Sequence, residues 1–392
     1  MVNLLLAIIY LAFISLGLPD SLLGSAWPVM HTDLNVPLSY AGIISMIIAF
    51  GTVISSLQSE RITLRLGTGK TTAISVAMTA AALFGFSISR QFWMLLLWAV
   101  PYGLGAGSVD ASLNNYVALH YKSRHMSWLH CMWGVGASIG PYIMGYALQR
   151  GSGWSSGYSS IAIIQVALTA ILFLSLPLWK ERKNAEEQKD CKERKPLSLR
   201  EILRISGAVE VMISFFCYCA VEQTCGLWAS SYLNISRGIP KETAASFASL
   251  FFIGITAGRA VSGFITMKLS DLKMIRLGQA VILLGLVIML IPTNETFAMV
   301  GLILAGLGCA PIYPCVIHST PDHFGEDKSQ AIIGVQMASA YVGTMVMPPL
   351  FGVLANTFSV SLLPVFLLVC LILMAVMNEM LQKKTKIKDN AQ

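Results

Sequence analysis

Three carboxylates stand inside apolar runs long enough to cross a bilayer: Asp20, Asp110 and Glu222. Asp110 lies in WAVPYGLGAGSVDASLNNYV, from Trp98 to Val117, together with Asn114 and Asn115. A charge at that depth costs roughly 2.5–3.5 kcal/mol on insertion scales, so an intramembrane acid marks a functional site by default. Such an acid can take up a proton near neutral pH. A site that passes from one membrane face to the other moves more easily when neutral, so these acids suit proton-coupled movement. The alternative for each is a helix-to-helix or capping hydrogen bond with no titration.

Around the acids stand groups suited to an uncharged, hydroxyl-rich solute. Asn114, Asn115, Gln165, Gln223 and Gln336 offer donors and acceptors together. Trp27, Trp98, Trp133 and Trp228 offer flat faces against which a sugar ring packs. Amides also join helices in membranes and tryptophans also fill interfacial belts, so these readings stand side by side. The candidate solute-binding set is Asn114, Asn115, Gln223, Trp228, Trp27, Tyr313, Gln336 and His130. His130 could relay protons or serve as a satisfied structural histidine. Arg259, in AGRAVSG, is a basic residue deep in a span; it needs a partner there, and Asp110 is one candidate.

The elements that must position these groups follow from composition. Of 392 residues 55% are hydrophobic and 12% charged, against about 25% charged in a soluble domain. An all-α polytopic membrane protein is expected. A spanning helix needs about 20 apolar residues, so twelve spans with short loops use the whole length. The first run starts at Leu4 without a basic leader or a small-residue cleavage site, and is read as a retained helix. The net charge of +7 is distributed by topology, which argues against a nucleic-acid partner. Seven of the eight cysteines lie at Cys131, Cys217, Cys219, Cys225, Cys309, Cys315 and Cys370, where they act as small apolar residues, without metal-ligand spacing.

Hydropathy places spans at 4–30, 40–60, 71–89, 92–119, 126–149, 157–179, 206–234, 243–267, 274–292, 297–319, 329–356 and 359–381. The basic residues collect on one side, which predicts both termini in the cytoplasm of a cell (inner or plasma) membrane. The charged run Lys180–Lys195 divides the chain near its middle, and PLSLREILRIS after it opens with Ser198 as a candidate N-cap of a short amphipathic helix. The expected domains are a six-helix bundle over 1–179, a cytoplasmic linker over 180–205, a second bundle over 206–382 and a basic tail over 383–392.

The halves read as copies. Val135, Gly136, Pro141 and Gly145 recur as Val342, Gly343, Pro348 and Gly352, each 207 residues on. Gly103-Leu104-Gly105 recurs as Gly306-Leu307-Gly308, 203 residues on, which places Tyr313 where Asp110 stands. PDSLLG matches VEQTCG at an offset of 202, pairing Asp20 with Glu222. Parallel six-span halves put a solute site near the midplane, with alternating access by rocking.

The turn after the second span reads ERITLRLGTGK from Glu60, and its charges, Glu60, Arg61 and Arg65, are expected to pair with helix ends and gate the inner side. GTGK lacks the first glycine of a phosphate-binding loop. The 6+6 plan with this turn resembles the major facilitator superfamily, whose turn usually reads GxxxDRxGRR; here Glu60-Arg61 fill the acid–arginine pair ahead of Arg65-Leu66-Gly67. The form ending in GTGK, the acids in PDSLLG and GLGAGSVDASLNNYV, and GRAVSG are similar to the fucose permease branch. That resemblance implies two bundles of six helices and a proton-coupled sugar symporter, with Asp20 and Asp110 in coupling and sugar recognition. The fourth-span acid is Asp where the fucose permease has Glu, and Glu222 is additional; some relatives use sodium.

The expected function is therefore secondary uptake of a small neutral solute, a sugar, by a monomer in a lipid bilayer. Neither enzymatic chemistry nor a cofactor other than the coupling ion (H+, with Na+ as the alternative) is expected. Drug or metabolite efflux by proton exchange is the rival within transport, supported by GASIGPYIMG from Gly136. A non-transporting sensor or scaffold is the rival from another class.

Overall fold

The computed structural model describes residues 2–20, 22–37, 40–180, 196–239, 241–291 and 295–389. Helices occupy all twelve of the expected spans. The first is made of Val2–Asp20 and Leu22–Asp33, with Pro19 and Asp20 at the end of the upper piece. The second, Ala41–Leu57, bends by 57° at Gln58 into Ser59–Leu66. Then come Thr68–Ile88, Phe92–His120, Ser123–Gln149 and Gly153–Leu174. The second series runs Ala208–Ser231, continued by a wider turn over Tyr232–Ser236, then Lys241–Ile265, Asp271–Leu290, Glu295–His318, Glu326–Thr357 and Leu363–Asp389.

Among the described residues nine helices are long and apolar enough to cross a membrane, and a tenth if the bent pair is one span. Leu97, Ile163, Leu174, Val353 and Val369 stand exposed on them. A water-soluble surface rarely presents so much contiguous apolar area, whereas lipid does not penalise it. The chain is a multi-pass membrane protein.

Two compact units emerge from the packing. Unit 1 comprises Met1–Tyr116 and Leu129–Pro196; unit 2 comprises Val117–Trp128 and Leu197–Gln392. The expected linker over 180–205 falls mostly outside the described residues. After it, Ser198 caps the short helix Leu199–Leu203 as the sequence indicates: the Glu201 amide donates to Ser198 Oγ at 3.3 Å and the Ser198 amide donates to Glu201 Oε2 at 2.7 Å. These bonds, with the Ser198 side chain foremost, hold the Glu201 carboxyl below the ordinary carboxylate range.

At the other end the sequence places a basic tail over 383–392. The last helix continues into it, to Asp389. Lys384 pairs there with Glu210, and Arg276 makes a two-pronged bond with Glu379 at 2.7 Å on both arms. Hydropathy ends where the charges begin, but the helix does not, because those side chains find partners on the same unit.

The internal copy is visible in backbone contacts. A Cβ on Gly103 would lie 2.2 Å from the Ile48 carbonyl oxygen, and one on Gly306 would lie 2.2 Å from that of Phe251. Both members of that contact recur 203 residues on. Likewise Gly136 abuts the Ile14 carbonyl and Gly343 abuts that of Phe216. Only glycine lets two spanning helices approach to this distance, so each unit carries the same frame of backbone contacts.

Candidate functional site

In unit 1 the fifth span lies against the first almost backbone to backbone. A Cβ on Gly17 would sit 2.1 Å from the Trp133 carbonyl oxygen. That approach brings the Trp133 indole within reach of the carboxylate ending the Val2–Asp20 helix. Trp133 Nε1 donates to Asp20 Oδ2 at 2.8 Å, and the Tyr102 hydroxyl of the fourth span donates to Asp20 Oδ1 at 3.1 Å. Tyr102 is buried, Trp133 half-buried and Asp20 itself exposed. Asp20 has no ion pair among the described residues. Both carboxylate oxygens are thus held by neutral donors, an arrangement that fixes the group without neutralising it.

Asp110, one helix away in the same unit, is buried. Asn114 Nδ2, one turn on, donates to Asp110 Oδ1 at 2.8 Å and to its carbonyl at 3.0 Å. Asn114 Oδ1 lies 3.0 Å from His130 Nε2. The amide has spent its N–H on Asp110, so its oxygen accepts and His130 Nε2 donates. Phe13 meets the His130 ring edge-on, centroids 5.3 Å apart. Asp110, Asn114 and His130, read separately from the sequence, form one chain in which a charge change at either end is felt at the other. Asn115 is buried on the same helix.

In unit 2 the acid is differently placed. Glu222 Oε1 and Arg259 Nη2 are 3.3 Å apart, and both side chains are buried. The ion pair shown for Arg259 is therefore with Glu222, where depth along the sequence suggested Asp110. The two face each other on consecutive spans, and depth could not fix the rotational phase that brings them together. Phe215, Tyr218 and Tyr313 cluster nearby, with Tyr313 4.6 Å from Phe215 and 5.8 Å from Tyr218 between ring centroids.

Other candidates have structural occupations. Gln336 is fully buried and exchanges hydrogen bonds with Thr320 at 3.1–3.2 Å. The Tyr313 hydroxyl donates to Met337 Sδ at 3.1 Å. Trp228 donates to the Pro348 carbonyl at 3.0 Å and covers Gly352. Trp27 is buried in the core of unit 1 beside Phe92. Gln223 is half-buried, one residue from Glu222. Among the turn residues Glu60 is buried, while Arg61 donates to Gln58 at 3.3 Å and Arg65 is exposed. Tyr102 was not singled out from the sequence, although a tyrosine in mid-span needs a hydroxyl partner and so carried a usable signal.

The sequence matches the profile of the Major Facilitator Superfamily over residues 9–266 and again over 211–391. It is 23% identical over 395 residues to Bypass of stop codon protein 6 of Saccharomyces cerevisiae, covering 93% of this chain and 78% of the relative. With the Glucose/mannose transporter GlcP of Bacillus subtilis it shares 20% identity over 338 residues, 81% of this chain and 80% of that one. Among solved structures, the E. coli fucose:proton symporter FucP (N162A) superposes with a TM-score of 0.76 at 15% identity, covering 96% of this chain and 98% of that one. The proton:xylose symporter XylE bound to 6-bromo-6-deoxy-D-glucose gives 0.77 at 12% identity, with 94% of each chain covered. Helices over the expected spans, an internal copy of the backbone frame and a profile match across both halves agree: the chain belongs to the major facilitator superfamily of transporters.

Proposed function

We propose that this transporter takes up a small neutral solute, a sugar, together with a proton by alternating access. The observation that carries this reading is Asp20, an exposed carboxylate inside a span, held by the Tyr102 hydroxyl and the Trp133 indole and in no salt bridge among the described residues. A carboxylate at such depth faces a water-filled path rather than lipid. With no cation paired to it among the described residues, a proton is the species that can neutralise it for the return across the membrane. Trp133 offers its ring face beside the acid, and a sugar hydroxyl can compete for the same carboxylate. Asp110, linked through Asn114 to His130, is the second titrating position. The relatives whose names specify a glucose/mannose transporter and sugar:proton symporters support a sugar as solute. The chain works as a monomer in a cell membrane with both termini in the cytoplasm, as its basic residues direct.

Uptake of labelled hexoses and pentoses into proteoliposomes, driven by a pH gradient, tests this reading. Accumulation that collapses with a protonophore supports proton symport. Accumulation driven by sodium alone transfers the coupling to that ion, and extrusion of apolar cations in place of sugar uptake overturns the reading. In the same assay Asp110→Asn is expected to retain solute exchange across the membrane and to lose uphill accumulation. Continued accumulation by that variant removes Asp110 from the coupling path.

A further inference from the structure

The segment Val117–Trp128 joins two spans of unit 1, yet it is packed as part of unit 2. Three contacts hold it there. Ser123 Oγ donates to Asp271 Oδ1. His318 Nε2 lies 3.0 Å from the carbonyl oxygen of Tyr121, while Nδ1 of the same ring lies 2.6 Å from Asp271 Oδ2. Trp128 fills the space over Gly263, where an added Cβ would lie 2.1 Å from the indole nitrogen.

The His318 contacts carry chemical information. A carboxylate and a peptide carbonyl are both acceptors, and neither can donate to an imidazole nitrogen. A neutral histidine has one N–H and satisfies one of them; only the imidazolium donates to both. Asp271 accepts on both oxygens, from Ser123 on one and from His318 on the other. The docked segment therefore calls for a proton on His318.

We propose that His318 is a proton-binding group of a latch, protonated while Val117–Trp128 is docked and deprotonated when the segment leaves. Its surroundings divide by sign. Asp271, at the start of Asp271–Leu290, and Asp322, one turn beyond His318, favour the proton. Lys122, Arg124 and His125 are basic residues on the docked segment itself. Cys315, one turn before His318, contributes a thiol 4.0 Å from Ser123 Oγ. Arg259 and Arg276 from the neighbouring helices are committed to Glu222 and Glu379. A cavity of about 310 Å³ lined by Ser123, Asp271, Ser319, Asp322, His323 and Gln382 adjoins the latch and gives protons a route to it. In the proposed topology this is the cytoplasmic side, so opening the latch would release a proton inward. The inference thus deepens the proton-driven reading, but its test uses neither solute nor gradient, and the two can fail separately.

The experiment is ring-¹⁵N NMR of histidine-labelled full-length protein, with His318→Gln identifying the signal, alongside amide hydrogen exchange over residues 117–128 at pH 6–9. The expected result is a doubly protonated His318 ring at pH 7. Protection of the segment, after correction for intrinsic exchange, should fall at least tenfold toward pH 9. His318→Gln and Asp271→Asn should each show weak protection that no longer varies with pH. A neutral ring at pH 7 overturns the proposal, as does pH-dependent protection that survives in His318→Gln. Should the variants fail to fold, the ring signal and the protection profile of the unaltered protein decide alone, since a flat profile is incompatible with the latch.

Discussion

The two units share a backbone frame and differ in how they hold charge within it. Asp20 and Glu222 occupy equivalent positions, 202 residues apart. Asp20 is met by Tyr102 and Trp133, whose counterparts at offsets of 203 and 207 are Ala305 and Ala340. Glu222 is met by Arg259, whose counterpart is Ser56, a residue that donates to the Gly107 carbonyl at 3.3 Å. Unit 1 therefore keeps an acid with neutral donors, and unit 2 keeps one already neutralised. The same divergence appears a step away. Asp110 and His130, joined through Asn114, correspond to Tyr313 and Met337, which touch directly at 3.1 Å. The Asp–Asn–His chain of one unit is a single hydroxyl-to-thioether hydrogen bond in the other. The two units thus share a backbone frame, and substitution has given each a different set of partners for its acid.

The largest effect that separates the units is on the buried ion pair. Removing one member of such a pair leaves an uncompensated charge and costs about 3–5 kcal/mol. Arg259→Met and Glu222→Gln are each expected to lower the thermal unfolding temperature strongly in detergent. The double variant should recover most of the loss. Additive losses in that cycle would show that the two groups are not coupled and would erase the contrast with Asp20.

A smaller effect probes what the units have in common. A methyl group on Gly103 or Gly306 meets a carbonyl oxygen at 2.2 Å, and no rotamer change relieves a backbone contact. Overpacking of this kind costs about 1–3 kcal/mol. Gly103→Ala and Gly306→Ala should destabilise by similar amounts in thermal unfolding. A large loss in one and none in the other would mean that the repeated frame serves only one unit.

Both frame and acids were legible before any coordinates, for physical reasons. Spanning runs announce themselves because lipid demands about 20 apolar residues, and the glycine contacts preserved the offsets on which the duplication was read. The partners were not legible. Tyr102 and Trp133 lie 82 and 113 residues from Asp20, and these helices are apolar around most of their circumference. A helix without a polar stripe does not declare which face turns inward, so depth alone makes Asp110 one candidate partner for Arg259 and does not single out Glu222. Trp228 and Gln336 read as ligand groups by type, and their bonds to the Pro348 carbonyl and the Thr320 hydroxyl were equally illegible. The extension of the last helix to Asp389 was hidden because hydropathy registers the lysines and not the acids that receive them.

The smallest effect on stability is expected at Asp20, and it is the sharpest form of the comparison. Asn in place of Asp20 keeps an acceptor for one of its two donors and strands no buried cation, so thermal stability should change by about 1 kcal/mol or less. Glu222→Gln, the equivalent change in unit 2, strands Arg259. Measured together, the two variants should therefore invert. Asp20→Asn should fold nearly as well as the parent and lose proton-driven accumulation, whereas Glu222→Gln should lose stability first. If Asp20→Asn destabilises as much as Glu222→Gln, its carboxylate is structural and neutral donors do not leave it available. If it folds and still accumulates solute, Asp20 is removed from the coupling path, and the Asp110→Asn variant decides whether the proton is taken up there.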